Sequence, residues 1–460
     1  MDIIVVFDIG KVKRKVLFFN NSLEVVYKDE IKIKEKLNEN GILIDDVEGV
    51  VDWVYNVIDS TISKNVYTIK GVNFSTYGAS LIYLNDEGKK LGYLYNNMMS
   101  LPYSFGRELY DKHGGVFEFA RKTSSSLLGF QNSGLQLKWL KEERPDTYKQ
   151  AKHVLHFPQY LSYLFTGKIV SEFTTIGCHT AMWDFEENKY HNWLNDIDIN
   201  IPEPVETKQN HTVNYKGHEF KVGVGIMDAM ADLLPYLSTD TDEFLMLYTK
   251  RWCVAMNPFN REPLTPKEVE NECSCYLSYN NDQVKSSRFY LAHIHDVHVE
   301  KIAEQFNVSV DEIEKVNLNE DVLEELADNV SEERMFFVDG IPENYIDTYV
   351  DISLFKNYKE AYHQLMIDLT RINIESIELV IPESDHSNKI YVTGRFSYND
   401  IYMKLLSGYF MDKRVFTSEI DSPEALGAAL MLYDEIFPGN EVKIDLGLKE
   451  WKSEVNLEEY

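Results

Sequence analysis

An apolar strand, a basic turn and a second apolar strand open this chain: VVFDIGKVKRKVLFF, residues 5–19. The same strand–turn–strand pattern restarts far downstream in FLMLYTKRWCVAMNPF, residues 244–259. A chain of 460 residues is too long for one ordinary core and is expected to divide into two domains of roughly 200 residues. Two halves that begin alike point to a duplicated fold, although no sequence repeat is visible. The polar, turn-rich stretch DIDINIPEPVETKQNHTVNYKGHEFK (196–221) marks the boundary, drawn at 215/216, so that the domains are 1–215 and 216–460.

Strands are expected at 2–8 and 15–27, with a turn at NNS (20–22), and again in VYTIKGVNFSTYG and ASLIYLNDEGKKLG. Apolar residues at helical spacing predict helices over 45–62, 133–144, 158–165 and 355–378, and KIYVTG (389–394) reads as a strand. SPEALGAALMLYDEI (422–436) reads as a helix with Ser422 as N-cap and Pro423 at its first position. Strands alternating with helices make the fold class α/β.

A net charge of −29 excludes a broad nucleic-acid or anionic-membrane surface but leaves room for one small phosphate site. The four cysteines have no zinc spacing and are too few for a disulfide framework. No apolar run reaches membrane-spanning length and the first residues are not a signal peptide, so the expected location is the cytoplasm. A homodimer is the commonest assembly for such a chain.

Four stretches could carry chemistry. In DIGKVK a strand ends in Asp-x-Gly, where backbone amides can approach an anion, Asp8 can hold Mg²⁺ through water and Lys11 can face phosphates; a hairpin with a wet basic face is the alternative. In VGVGIMDAMADLLPYL (222–237) Asp228 stands where strand gives way to helix, as a base for a substrate hydroxyl or as a helix cap. YTKRW (248–252) offers a hydroxyl and two cations in a turn. VTGRFSYND (392–400) is a glycine turn that either borders a nucleotide base or joins two elements. HIHDVH (293–298) has the look of a metal cluster but is commonly accidental, and YLSYLF (160–165) reads as core.

Together these stretches resemble the FGGY carbohydrate kinases, nearest to the branch of L-fuculose, L-rhamnulose and L-xylulose kinases. The likeness is broadest over 131–185 and resumes at GIMDAMADLLPYL, NPFNREPLT, GRFSYNDIYMKLL and SPEALGAAL, covering about residues 2–435. The resemblance implies two actin-like (ribonuclease H-like) ATPase domains around a cleft, a small-molecule sugar as acceptor, and ATP with Mg²⁺. On the same ground Asp8 would serve the metal, and Gly10, Lys11 and Lys13 the phosphates. Asp228 would be the base, and Thr76, Tyr77, Gly78 and Met227 would line the sugar pocket. Thr249, Lys250 and Arg251 would hold the outer phosphates, while Gly394, Arg395 and Asn399 would border the adenosine.

The sequence departs from the family pattern inside that site. Val12 stands for a threonine, Tyr77 and Met227 for histidines, and Arg395 for a glycine. Tyr248–Trp252 replaces Ser-Thr-Gly-Thr-Trp, so that Lys250 takes the place of a glycine whose backbone would touch phosphate. Two functions remain open on these residues: an ATP-dependent kinase of a ketose, or a kinase-like protein that binds a sugar or a protein partner without phosphoryl transfer.

Overall fold

The structure is a computed structural model that describes residues 1–460 apart from 12, 103, 343, 344, 347, 348, 441, 456 and 458–460. Val12 therefore lies outside the described residues. Two seven-stranded sheets dominate the architecture. In the first, strand Asp2–Ile9 pairs antiparallel with Arg14–Phe19 and parallel with Thr68–Thr76. Val25–Ile31 extends one side, and His218–Gly223 with Asn210–Tyr215 the other. In the second, strand Phe244–Thr249 pairs antiparallel with Cys253–Asn257 and parallel with Lys389–Gly394. Gln283–Phe289 and Ser274–Leu277 lie beyond the hairpin, and Arg414–Thr417 and Lys449–Trp451 beyond the parallel strand. Each half thus grows its sheet from a hairpin whose first strand accepts a later strand in parallel. The duplication invisible as a repeat is present as topology.

The strands form for a plain reason: Ile3, Val5 and Phe7 point into one core and Ile4 and Val6 into another, so both faces of the first strand are dry. The turn expected at NNS (20–22) divides the stretch 15–27 into Arg14–Phe19 and Val25–Ile31: the Asn20 side chain accepts hydrogen bonds from the Ser22 and Glu24 amides, both at 2.9 Å. The expected helices appear as Val47–Lys64, Ser133–Glu143, Phe157–Thr166 and Tyr358–Glu378.

The expected division at 215/216 cuts the turn of the hairpin Asn210–Tyr215/His218–Gly223, both strands of which belong to the first sheet. That sheet continues to Ile226–Met227, which pairs with Ser75 and Thr76. The polarity that reads as a linker belongs to a half-exposed edge hairpin.

Two connections tie the halves together. Helix Pro423–Ile436, late in the chain, returns to the first sheet: Ala425, Ala428, Ala429 and Leu432 share a core with Ile4, Val6, Leu17 and Phe19. It also crosses helix Asp228–Thr239 so closely that a side-chain carbon on Gly427 would overlap the Ala231 carbonyl oxygen. Elsewhere between the halves, the Leu277 amide donates to the Gly177 carbonyl (2.7 Å) and the Ser124 hydroxyl to the Cys275 carbonyl (3.1 Å).

Candidate active site

The crossing of those two helices assembles a cluster of carboxylates. Asp228 is the first residue of its helix, which Met227 caps, and its Oδ1 accepts from the Ala229 amide at 2.8 Å. One turn further, Asp232 is 3% exposed and neither of its carboxylate oxygens has a hydrogen-bond partner. Glu424 stands in the first turn of the other helix and is 8% exposed. Asp8, near the end of the first strand, is 7% exposed.

Burial, and next to it the negative charge of Glu424, pushes Asp8 up to about 6 and Asp228 up to about 7, and moves Asp232 far upward. Glu424 goes the other way. Burial opposes its ionisation, but Lys250 and backbone hydrogen bonding outweigh that and hold it below the usual carboxylate range.

Two lysines balance these acids. Lys250 Nζ is 3.0 Å from Glu424 Oε1, the same oxygen that accepts from the Tyr248 hydroxyl at 3.0 Å. Lys15, opposite Asp8 in the hairpin register, places Nζ 3.5 Å from Asp8 Oδ2 and 3.2 Å from the Ser422 hydroxyl. Ser422 does occupy the N-cap position, but with φ 60° its side chain caps no helix amide; it accepts from Lys15 instead.

The residues expected around the sugar come together. Met227 pairs with Thr76 across adjoining strands, its amide donates to the Thr174 hydroxyl at 3.0 Å, and Asp228 follows it. A side-chain carbon on Gly78 would lie 3.4 Å from both Met227 Cε and Cys178 Sγ, so Gly78 packs against these two side chains. The Tyr77 hydroxyl donates to Asp45 Oδ2 at 2.7 Å.

Lys11, expected at the phosphates, has its ammonium 2.7 Å from that same Asp45 oxygen and 4.2 Å above the Tyr77 ring. Lys13 pairs with Glu30 at 3.3 Å, and the Gly10 amide donates to the Lys13 carbonyl at 3.0 Å. Thr249 is committed as well: its hydroxyl bonds the Thr393 carbonyl and accepts from the Phe396 amide, joining the turns that end the two parallel strands. Gly394, at φ +86°, lies against Thr249, where a side chain would overlap backbone.

Arg395 is bound by Asp296 and Glu314, and Asn399 caps the next helix through the Tyr402 amide (2.9 Å) while donating to the Tyr362 hydroxyl (2.7 Å). Of the expected phosphate-facing cations, Arg251 alone has no ion pair among the described residues; its guanidinium lies 5.3 Å over the Tyr290 ring. The histidine stretch 293–298 lies on helix Leu291–Phe306, where His295, Asp296 and Glu314 converge, but the two acids are already paired with Arg395.

Asp45, Asp232 and Glu424 escaped sequence reasoning. The spacing of Asp228 and Asp232 was a visible signal, since residues four apart share a helix face. Nothing local marks Asp45 or Glu424.

Residues 3–213 match the model of the FGGY family of carbohydrate kinases, N-terminal domain. Over those residues the chain is similar to that domain. No curated protein matches the sequence. A carbohydrate kinase from Novosphingobium aromaticivorans superposes with a TM-score of 0.79 at 20% identity over 98% of this chain and 94% of its own. A ligand-bound xylulose kinase from Lactobacillus acidophilus gives 0.74 at 15% identity over 98% and 93%. Plasmodium falciparum glycerol kinase with ADP gives 0.72 at 13% over 98% and 94%. The two-domain actin-like fold expected from the sequence is thus the fold of the whole chain. No helix among the described residues is long and apolar enough to cross a membrane.

FGGY kinases use ATP, generally with Mg²⁺, and the residues here suit the two unequally. The oxygen donors of Asp8, Asp228, Asp232 and Glu424 are the kind a hard divalent cation takes, and the unpartnered Asp232 oxygens leave capacity for one. On the triphosphate side, Lys11, Thr249 and Lys250 are held by other residues of the chain.

Proposed function

We propose that this FGGY-family protein phosphorylates a primary hydroxyl of a small ketose, a deoxy-ketohexose or a pentulose, from ATP, with Asp228 as general base. The observation that carries the reading is the position and basicity of Asp228. It follows the strand that pairs with Thr76, next to Met227, which packs against Gly78, and its pKa is pushed up to about 7. A base with a pKa near the working pH joins a substantial ionised fraction to enough basicity to take a hydroxyl proton. Several structural neighbours are xylulose kinases, which suits a ketose acceptor.

In this reading the acceptor lies across Tyr77, Gly78 and Met227 with its hydroxyl toward Asp228. Asp228 takes the proton as the oxygen attacks the γ-phosphorus in line. Lys250 and Arg251 approach the transferring phosphoryl group from the second domain, and the cleft keeps water away. Mg²⁺, held by Asp8 and the neighbouring carboxylates, would neutralise charge on the β- and γ-phosphates.

A second reading has its own observation: the side chains of Lys11, Thr249 and Lys250 are engaged within the protein. On it the chain binds a sugar or a protein partner without transfer. Calorimetry with Mg-ATP followed by ADP release across a ketose panel separates the two. Sugar-dependent ADP release, lost in Asp228→Asn, is expected. ATP binding without release, or release unchanged in Asp228→Asn, refutes the assigned base; absence of ATP binding favours the second reading.

A further inference from the structure

We propose that Lys250 is the resident cation of the Asp228–Asp232–Glu424 cluster, and that a divalent ion reaches these carboxylates only after Lys250 has left Glu424. Three observations support this, and none depends on phosphoryl transfer taking place.

The first is the ion pair itself. Lys250 Nζ is 3.0 Å from Glu424 Oε1 and 4.4 Å over the Tyr248 ring, whose hydroxyl bonds the same carboxylate oxygen. An ammonium there occupies the side of Glu424 that a second cation would need and repels it. The second is Asp232, buried, with no close hydrogen-bond partner on either oxygen; it faces Glu424, Lys250, the Tyr248 hydroxyl and Asp228. Buried carboxylates are ordinarily paired, so one left open beside an ammonium-bound glutamate is unused ligand capacity.

The third is an asymmetry of freedom. The Lys250 side chain is 59% exposed and that of Glu424 is 11% exposed. Lys250 can swing into solvent, whereas Glu424 belongs to a helix locked against its neighbour at Gly427. On the other side, Lys15 is anchored by Ser422 and Asp8 and remains in place.

Mn²⁺ titration, read from the electron paramagnetic resonance of the free ion, tests the proposal. Asp232→Asn subtracts ions scattered over this acidic surface. The wild-type chain is expected to show no Asp232-dependent site of sub-millimolar affinity. Lys250→Met should acquire one at least about tenfold tighter than any in the wild type, which is 1.4 kcal/mol, and Lys250→Met/Asp232→Asn should lose it again. Circular dichroism checks folding, with Lys250→Gln as the alternative variant; folding of either variant only in the presence of Mn²⁺ also supports the proposal. An Asp232-dependent sub-millimolar site in the wild type overturns it, as does a folded Lys250 variant with no gain, or variants unfolded both with and without Mn²⁺.

Discussion

Replacing Asp228 with asparagine should make the fold more stable while removing its base. In the folded chain this carboxyl titrates at about 7 instead of 3.8, through burial first and the charge of Glu424 second. A carboxyl whose folded pKa lies above its unfolded one holds its proton more tightly when folded. Its contribution to stability is therefore full below about pH 4 and is lost as the pH climbs to 7. Above pH 7 the whole penalty is present. At about 1.4 kcal/mol for each pH unit of displacement, the ceiling is about 4 kcal/mol. Asp228 keeps some contact with solvent and faces Lys250, so about 1–2 kcal/mol is the expected size. Asparagine has nearly the same shape and carries no charge. Urea unfolding should show Asp228→Asn more stable than wild type by that amount at pH 8, with more than half of the gain gone by pH 5. A variant no more stable at pH 8, or equally favoured at both pH values, would refute the claim that a buried, crowded charge sits there.

Two further substitutions probe what positions the cluster. Gly427→Ala puts a methyl carbon 2.6 Å from the Ala231 carbonyl carbon and must spread the two helices that carry Asp228 and Glu424. Thermal unfolding should show a loss of about 1–3 kcal/mol, and an unchanged melting temperature would mean that the crossing is looser than described. Tyr77→Phe removes the 2.7 Å hydrogen bond to Asp45 but leaves the Lys11–Asp45 pair, so stability should fall by about 1 kcal/mol. If Tyr77 lines the acceptor site, KM for the sugar should change more than kcat; a wild-type KM removes it from the pocket.

Much of the fold was legible because it rests on local rules. Dry strands such as Asp2–Ile9, turns closed by Asn20, and the apolar spacing of Val47–Lys64 are written in neighbouring residues. The edge hairpin at 210–223 was read as a domain boundary because an edge strand and a boundary share polar composition, and only pairing with the strand Thr68–Thr76 separates them. Within the site, Asp8, Tyr77, Gly78, Met227 and Asp228 could be singled out from motifs.

Whether those residues are charged, paired or free was not in the motifs. The sequence by itself determined that two hairpin-led α/β halves form, and it carried a resemblance to the FGGY kinases over about residues 2–435. Tertiary structure decided that Lys11 turns to Asp45, that Thr249 ties two turns together, and that Lys250 meets Glu424. Ionisation and pairing depend on distance and burial across elements remote in the chain. Here the crossing at Gly427 and Ala231 brings Glu424 to Asp228, and the turn after Phe244–Thr249 brings Lys250 to Glu424.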